Sequence, residues 1–306
     1  MSSGQVGQVG LVRRVGVRPC ARAPRAPRAT MTRFRRILHI RKAMADWGWI
    51  AAGYGVLLAL TAARFRDLAR KPVVITVCAA YALISAGLAS LGGFWVNFIA
   101  PGLLLLVGYW LSGFFFCAPQ PWLEQALTSS DRWFFTTFRV NRALTGAPMA
   151  VLELLEASYT ADYIVVAAGA FVSAPYGAEA VARYWTIVLA AELACYGALP
   201  FLRARPPRAL EGPGVIEKRA PLLRRFNLAI LKNASVQGCT IPSGHVAGAV
   251  AASLAVMPVS ITAGVIFFVM SIVIAASATA GRYHYAVDCA LGAVVAAIAF
   301  VLTPPR

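Results

Sequence analysis

Acidic residues are scarce in this 306-residue chain: Asp and Glu number 12 against 29 Lys and Arg, and only 13% of residues are charged. Histidine is scarcer still, with three. So little charge, beside 59% hydrophobic residues and a mean hydropathy of +0.67, excludes an ordinary water-soluble globule, which needs more polar surface to cover itself. The six cysteines (Cys20, Cys78, Cys117, Cys195, Cys239, Cys289) form no C-x-x-C pair and accompany no clustered histidines, so no disulfide framework or zinc site is indicated. They are read as packing residues, and neither a metal nor another cofactor is expected.

The net charge of +17 does not make a nucleic-acid partner. Eleven of the basic residues lie between Arg13 and Lys42, and most of the others fall in loops between apolar segments. That distribution suits anionic lipid or phosphate rather than a duplex-binding face.

What is abundant is long apolar sequence. Residues 1–43 hold no acid and read as a disordered basic tail, with Met31 or Met44 as alternative starts. From Trp47 onward, apolar runs near 47–64, 73–92, 95–117, 156–175, 181–202, 244–258, 260–280 and 286–303 predict about eight helices of bilayer-crossing type. The chain thus divides into a tail (1–43), N-terminal membrane helices (44–117), an interfacial amphipathic segment (118–155) and a second set of membrane helices (156–306). The fold class expected is an all-α polytopic membrane bundle. In the interfacial segment, "DRWFFTTF" and "MAVLELLEASY" mix charge with aromatic and aliphatic residues at helical spacing. Glu153, Glu156, Tyr159, Asp162 and Tyr163 form a polar cluster at the mouth of the fourth run. They suit either an amphipathic helix at the interface, the preferred reading, or the wall of a headgroup pocket.

Two short stretches carry the chemistry. In "TIPSGHVAGAV" (240–250), Pro242, Ser243, Gly244 and His245 open an apolar run. The plain reading is a helix cap: Ser243 accepts from the first turn and Pro242 turns the chain. The second stretch is "GRYHYAVDCALG" (281–292), where His284 and Asp288 are four apart and on a helix would share one face. A carboxylate entering a membrane helix is costly without a partner. Asp288 therefore either joins an ion pair that holds helices together or orients His284 and leaves its other nitrogen free as a nucleophile. Arg282 stands at the same helix mouth, and "RARPPR" adds Arg205 and Arg208, whose planar forks suit phosphate. The amides of Ser243, Gly244 and His245, at the positive end of a helix, point the same way.

This ordered set resembles the type 2 phosphatidic acid phosphatase superfamily of membrane lipid phosphatases and phosphotransferases, over residues 199–300. Two positions depart from its common pattern: Ala198 stands where the family has a lysine seven residues before Arg205, and Ala278 where it has an arginine six before His284. The "GRYHYAVD" form is similar to the branch containing inositol phosphorylceramide synthases and their bacterial relatives. The resemblance implies a six-helix core and a metal-independent reaction. His284, held by Asp288, is the nucleophile that becomes phosphohistidine, and His245 is the proton donor and then the base. Arg205, Arg208, Arg282, Ser243 and Gly244 bind phosphate. The implied partner is a lipid phosphate in the membrane, hydrolysed as first choice or transferred to another lipid as second; a transporter of anionic lipid or phosphate is the rival class. The implied location is a bacterial inner membrane with a periplasmic site, although sixteen basic residues on the site side argue for the opposite orientation by charge.

Overall fold

Long apolar runs, interrupted by short polar breaks, leave a chain in lipid one option: satisfy its backbone within each segment. The computed structural model describes residues 46–304 apart from Asp67, and among them helices are the only regular elements besides one isolated bridge between Ala204 and Cys239. The expected tail (1–43) lies outside the described residues. The helices are α1 (Asp46–Arg64), α2 (Lys71–Leu91), α3 (Phe94–Gly113), α4 (Pro121–Thr137), α5 (Val140–Gly146), α6 (Met149–Ser173), α7 (Ala178–Ala198), α8 (Pro207–Leu210), α9 (Val215–Arg219), α10 (Leu222–Ala234), α11 (Gly244–Val256), α12 (Ile261–Ala280) and α13 (Ala286–Val301).

Each apolar run overlaps one helix, and α2, α3, α6 with its following turn, and α12 are both long and apolar enough to cross a membrane. By contrast, α11 and α13 have 13 and 16 residues. At 1.5 Å per residue they reach about 20 and 24 Å, short of a hydrocarbon core of roughly 30 Å. Ser243 and Tyr285 lie at the N-caps of these two helices, which places both sequence motifs at short-helix entrances. The segment 118–155 forms α4, α5 and the first turns of α6, which begins at Met149 rather than near 156. Trp122, Trp133 and Phe138 stand exposed around α4, as an interfacial helix would present them.

Lipid tails are as apolar as leucine, so packing rather than water exclusion joins such helices, and small residues at the contacts let them close. The middle of the bundle follows this rule. α11, "GHVAGAVAASLAV", packs against α6, α7, α12 and α13, and nearly all of it is buried. A β-carbon on Gly248 would lie 2.3 Å from the Glu192 carboxylate of α7, so glycine sets how closely these two helices approach. The hydroxyls of Tyr54 and Tyr81 donate to the carbonyls of Gly108 (2.7 Å) and Leu104 (3.1 Å), fixing α1 and α2 onto α3. Such bonds contribute about 0.6 kcal/mol each in a bilayer.

Candidate active site

The site assembles where α11 and α13 begin. The Ser243 amide donates to the Asp288 carbonyl at 3.0 Å, which fastens the entrance of α11 to the first turn of α13. Asp131 of α4 accepts the Ala286 amide at 2.8 Å and so caps α13 from outside. The Tyr285 hydroxyl donates to the Arg205 carbonyl at 2.8 Å, and the Cys239 amide to the Ala204 carbonyl at 2.8 Å. Two loops distant in sequence are thereby laced to the pair of helix entrances.

Within this frame His284 and Asp288 meet: Nδ1 lies 3.2 Å from Oδ2, and both side chains are buried. They do so across a helix start rather than along one helical face, because α13 begins at Ala286. A third member is Cys239, whose thiol donates to the same Asp288 oxygen at 3.1 Å and lies 3.5 Å from His284 Nδ1. Burial first, and the Asp288 charge second, push the Cys239 thiol up, so it stands as an S–H donor. The other Asp288 oxygen has no partner. Sequence reading took Cys239 for packing, and nothing local to it announced otherwise, since its partners lie 45 and 49 residues away.

The second imidazole is close. The His245 and His284 ring centroids are 5.5 Å apart, inclined at 57°. His245 stacks on Tyr159 at 4.7 Å, Tyr159 stacks on Tyr283 at 3.8 Å, and Tyr163 meets His245 edge-on. His245 Nε2 is buried without a partner. Both histidines line a cavity of about 40 Å³ whose other walls include Tyr109, Tyr196, Thr240 and Arg208.

The three arginines part company. Arg208 alone lines that cavity; it lies 5.7 Å from the Tyr283 ring and donates to the Tyr283 carbonyl at 3.4 Å. Arg205 forms a two-point pair with Glu124 at 2.9 and 2.8 Å and is half exposed. That pair raises the Arg205 pKa and lowers that of Glu124. Arg282 is paired with Glu211 over the face of Phe135. A basic loop and a helix mouth thus deliver one guanidinium to the histidines, while two acids hold the others outside the cavity.

At the first turn of α11 the capping reading is realised. Ser243 Oγ accepts from the Val246 amide at 3.4 Å, and the Gly244 amide donates to Thr240 Oγ1 at 3.2 Å. The space a β-carbon on Gly244 would fill is taken by the Tyr196 ring, 2.4 Å away. Gly244 therefore serves helix packing here, and Ser243 ties the loop.

Of the polar cluster on α6, Glu156, Tyr159 and Asp162 face inward, Glu153 is half-buried and Tyr163 is exposed. Glu156 is buried against Arg224 (3.2 Å), Asn227 (2.8 Å) and the Tyr283 hydroxyl, while Glu153 accepts from the Leu222 and Leu223 amides at the start of α10. Arg224 also donates to the Gly281 carbonyl at 2.8 Å. This network fixes Tyr283, and through it Tyr159 and His245.

Cys239 Sγ, His284 Nδ1 and Asp288 Oδ2 lie within 4.8 Å of one another, a donor set able to hold a zinc-like ion. The same three atoms close a hydrogen-bonded triad without one. Compared with known proteins, the chain matches no family model, no curated protein and no solved structure.

Proposed function

We propose that this protein is an integral membrane lipid phosphatase that cleaves a phosphate monoester or diphosphate through a phosphohistidine on His284. The observation that carries the reading is the approach of the two imidazoles to 5.5 Å across one cavity that also receives Arg208. With Nδ1–H committed to Asp288, His284 Nε2 keeps its lone pair. In the first step that nitrogen attacks phosphorus, the P–O bond to the lipid breaks, and His245 Nε2 gives its proton to the departing oxygen. In the second, water attacks phosphorus, the P–N bond breaks, and His245 takes the proton from water. Arg208 steadies the equatorial oxygens throughout. A bound phosphate also supplies the negative charge that favours the protonated imidazole at His245.

The test is phosphate release from a panel of lipid phosphates by the full chain in detergent, where no gradient exists. The wild type should turn over and label an acid-labile, base-stable histidine, and His284→Ala should abolish both. Full turnover by His284→Ala removes the mechanism. Absence of turnover across the panel, with flux retained in vesicles, leaves the transporter reading instead. Release that stops on chelation and returns with zinc replaces the phosphohistidine by metal-assisted hydrolysis at Cys239, His284 and Asp288.

A further inference from the structure

A second and larger cavity, of about 380 Å³, adjoins the first at His245. Its walls come from α3, α6 and α7 and are mostly apolar, among them Phe98, Leu103, Leu106 and Phe171. Leu103, Leu106 and Phe171 are also exposed on the bundle surface, so in a bilayer this cavity faces lipid.

An apolar lipid-facing groove needs no acid, yet this one is lined by two. Asp162 and Glu192 are each only 4% exposed. Asp162 Oδ1 and Glu192 Oε1 have no hydrogen-bond partner, although the other Glu192 oxygen accepts from the Tyr196 hydroxyl at 2.5 Å. His245 Nε2, on the same wall, is likewise unpartnered. Buried polar atoms in folded proteins are almost always satisfied, and intramembrane carboxylates mark sites of function. Three such atoms around one cavity call for a ligand. The free oxygens accept hydrogen bonds, so the ligand's polar end is a donor and not a phosphate, whose oxygens are acceptors too.

We infer that this cavity is a second lipid site, which takes a long-chain molecule whose polar end is a hydrogen-bond donor, an alcohol or an amine, seated on Asp162 and Glu192 beside His245. The two cavities share His245, Tyr109, Tyr163 and Tyr196 in their walls, so the phosphate ester and this ligand both reach His245. On the phosphatase reading above, a hydroxyl held there competes with water: its oxygen bonds to phosphorus, the P–N bond to His284 breaks, and its proton passes to His245 Nε2.

Binding is measured without turnover, so the two readings fail separately. The full chain in detergent is photolabelled with a diazirine-bearing long-chain alcohol, and labelled residues are mapped by mass spectrometry. Saturable labelling is expected on α3 near Leu103–Leu106 and on α6 near Val166–Phe171. It should be displaced by hexadecanol or hexadecylamine, the stronger of the two identifying the head group, and not by hexadecane or hexadecyl phosphate. Asp162→Leu with Glu192→Met, which removes two unsatisfied buried carboxyl groups and so need not weaken the fold, should raise the half-saturating concentration by about tenfold or more, the equivalent of roughly 1.4 kcal/mol. Ala167→Trp, which fills the cavity from an exposed position, should abolish labelling. Equal displacement by hexadecane or hexadecyl phosphate overturns the inference, as does undiminished labelling of a double variant that melts like the wild type. If binding holds while no lipid phosphate is cleaved, only the phosphatase reading falls.

Discussion

Replacing Gly292 by alanine tests the geometry of the site through a residue that touches no substrate. Gly292 is on α13, one turn after Asp288, and a β-carbon there would lie 2.5 Å from the Ser243 carbonyl oxygen and 3.3 Å from the Ala247 nitrogen. Both are backbone atoms, so no side-chain rotation relieves the clash. Ordinary contact begins at 3.4 Å, which leaves about 0.9 Å to be found by moving α13 away from α11. Overpacking of this size costs about 1–3 kcal/mol. The same shift separates the helix starts that carry Asp288 and His245, and a misplacement near 1 Å lowers turnover by about 100-fold. The assays are thermal unfolding in detergent and phosphate release under saturating lipid phosphate. Gly87→Ala on α2, where nothing lies within 4 Å of the added carbon, is the control. A Gly292→Ala protein that unfolds and turns over like the Gly87→Ala control would refute the claim that contact between these two helices sets the site.

Arg208→Gln should lower phosphate release by about 100-fold or more with little change in melting, whereas Arg282→Gln should chiefly lower stability, by about 1 kcal/mol, because its guanidinium is engaged with Glu211. Equal losses of turnover in the two variants would count against that division. Asp131 is held up at about 6 from its ordinary 3.8, by burial first, with the Ala286 amide working the other way. The fold therefore favours its neutral form; that stability is complete below pH 3.8 and is lost as pH rises through about 6. Asp131→Asn keeps an acceptor for the Ala286 amide, so its melting temperature should gain on the wild type between pH 4 and pH 7; a constant difference across that range refutes the assignment.

Eight helices were legible because each is written in a single apolar run, whereas α10 lies in a polar loop; His284 and Asp288 do meet, but across the start of α13 rather than along the helical face their spacing suggested. The meeting of the two imidazoles was the larger expectation, resting on two motifs some forty residues apart, and the bundle brings them to one cavity. Helix ends were less legible. α6 begins at Met149, and Glu156, Tyr159 and Asp162, each three residues apart, lie on its buried face; hydropathy alone cannot tell a charge that turns inward to an arginine from one that floats at an interface. The place of Arg224 as that partner, and of Cys239 beside His284, depends on long-range folding and left no local signal. Gly244 was expected to bind phosphate, which needs space beside its backbone. The room exists, and the Tyr196 ring fills it.

Scarcity of acid, the first feature of the sequence, sorts the cations. With few carboxylates available, each one that meets an arginine removes a specific positive charge from the site: Glu124 engages Arg205, Glu211 engages Arg282 and Arg132, and Glu156 with Glu217 engages Arg224. Arg208 has no such partner among the described ion pairs and is the guanidinium that reaches the histidines. The same logic runs in reverse in the larger cavity that adjoins His245. Asp162 and Glu192 are buried in a chain with an excess of 17 positive charges, yet neither forms one of the described ion pairs. Glu124, Glu156 and Glu211 find their arginine partners within the chain, and these two acids do not. Their remaining free oxygens are explained when the missing partner arrives from the lipid rather than from the chain.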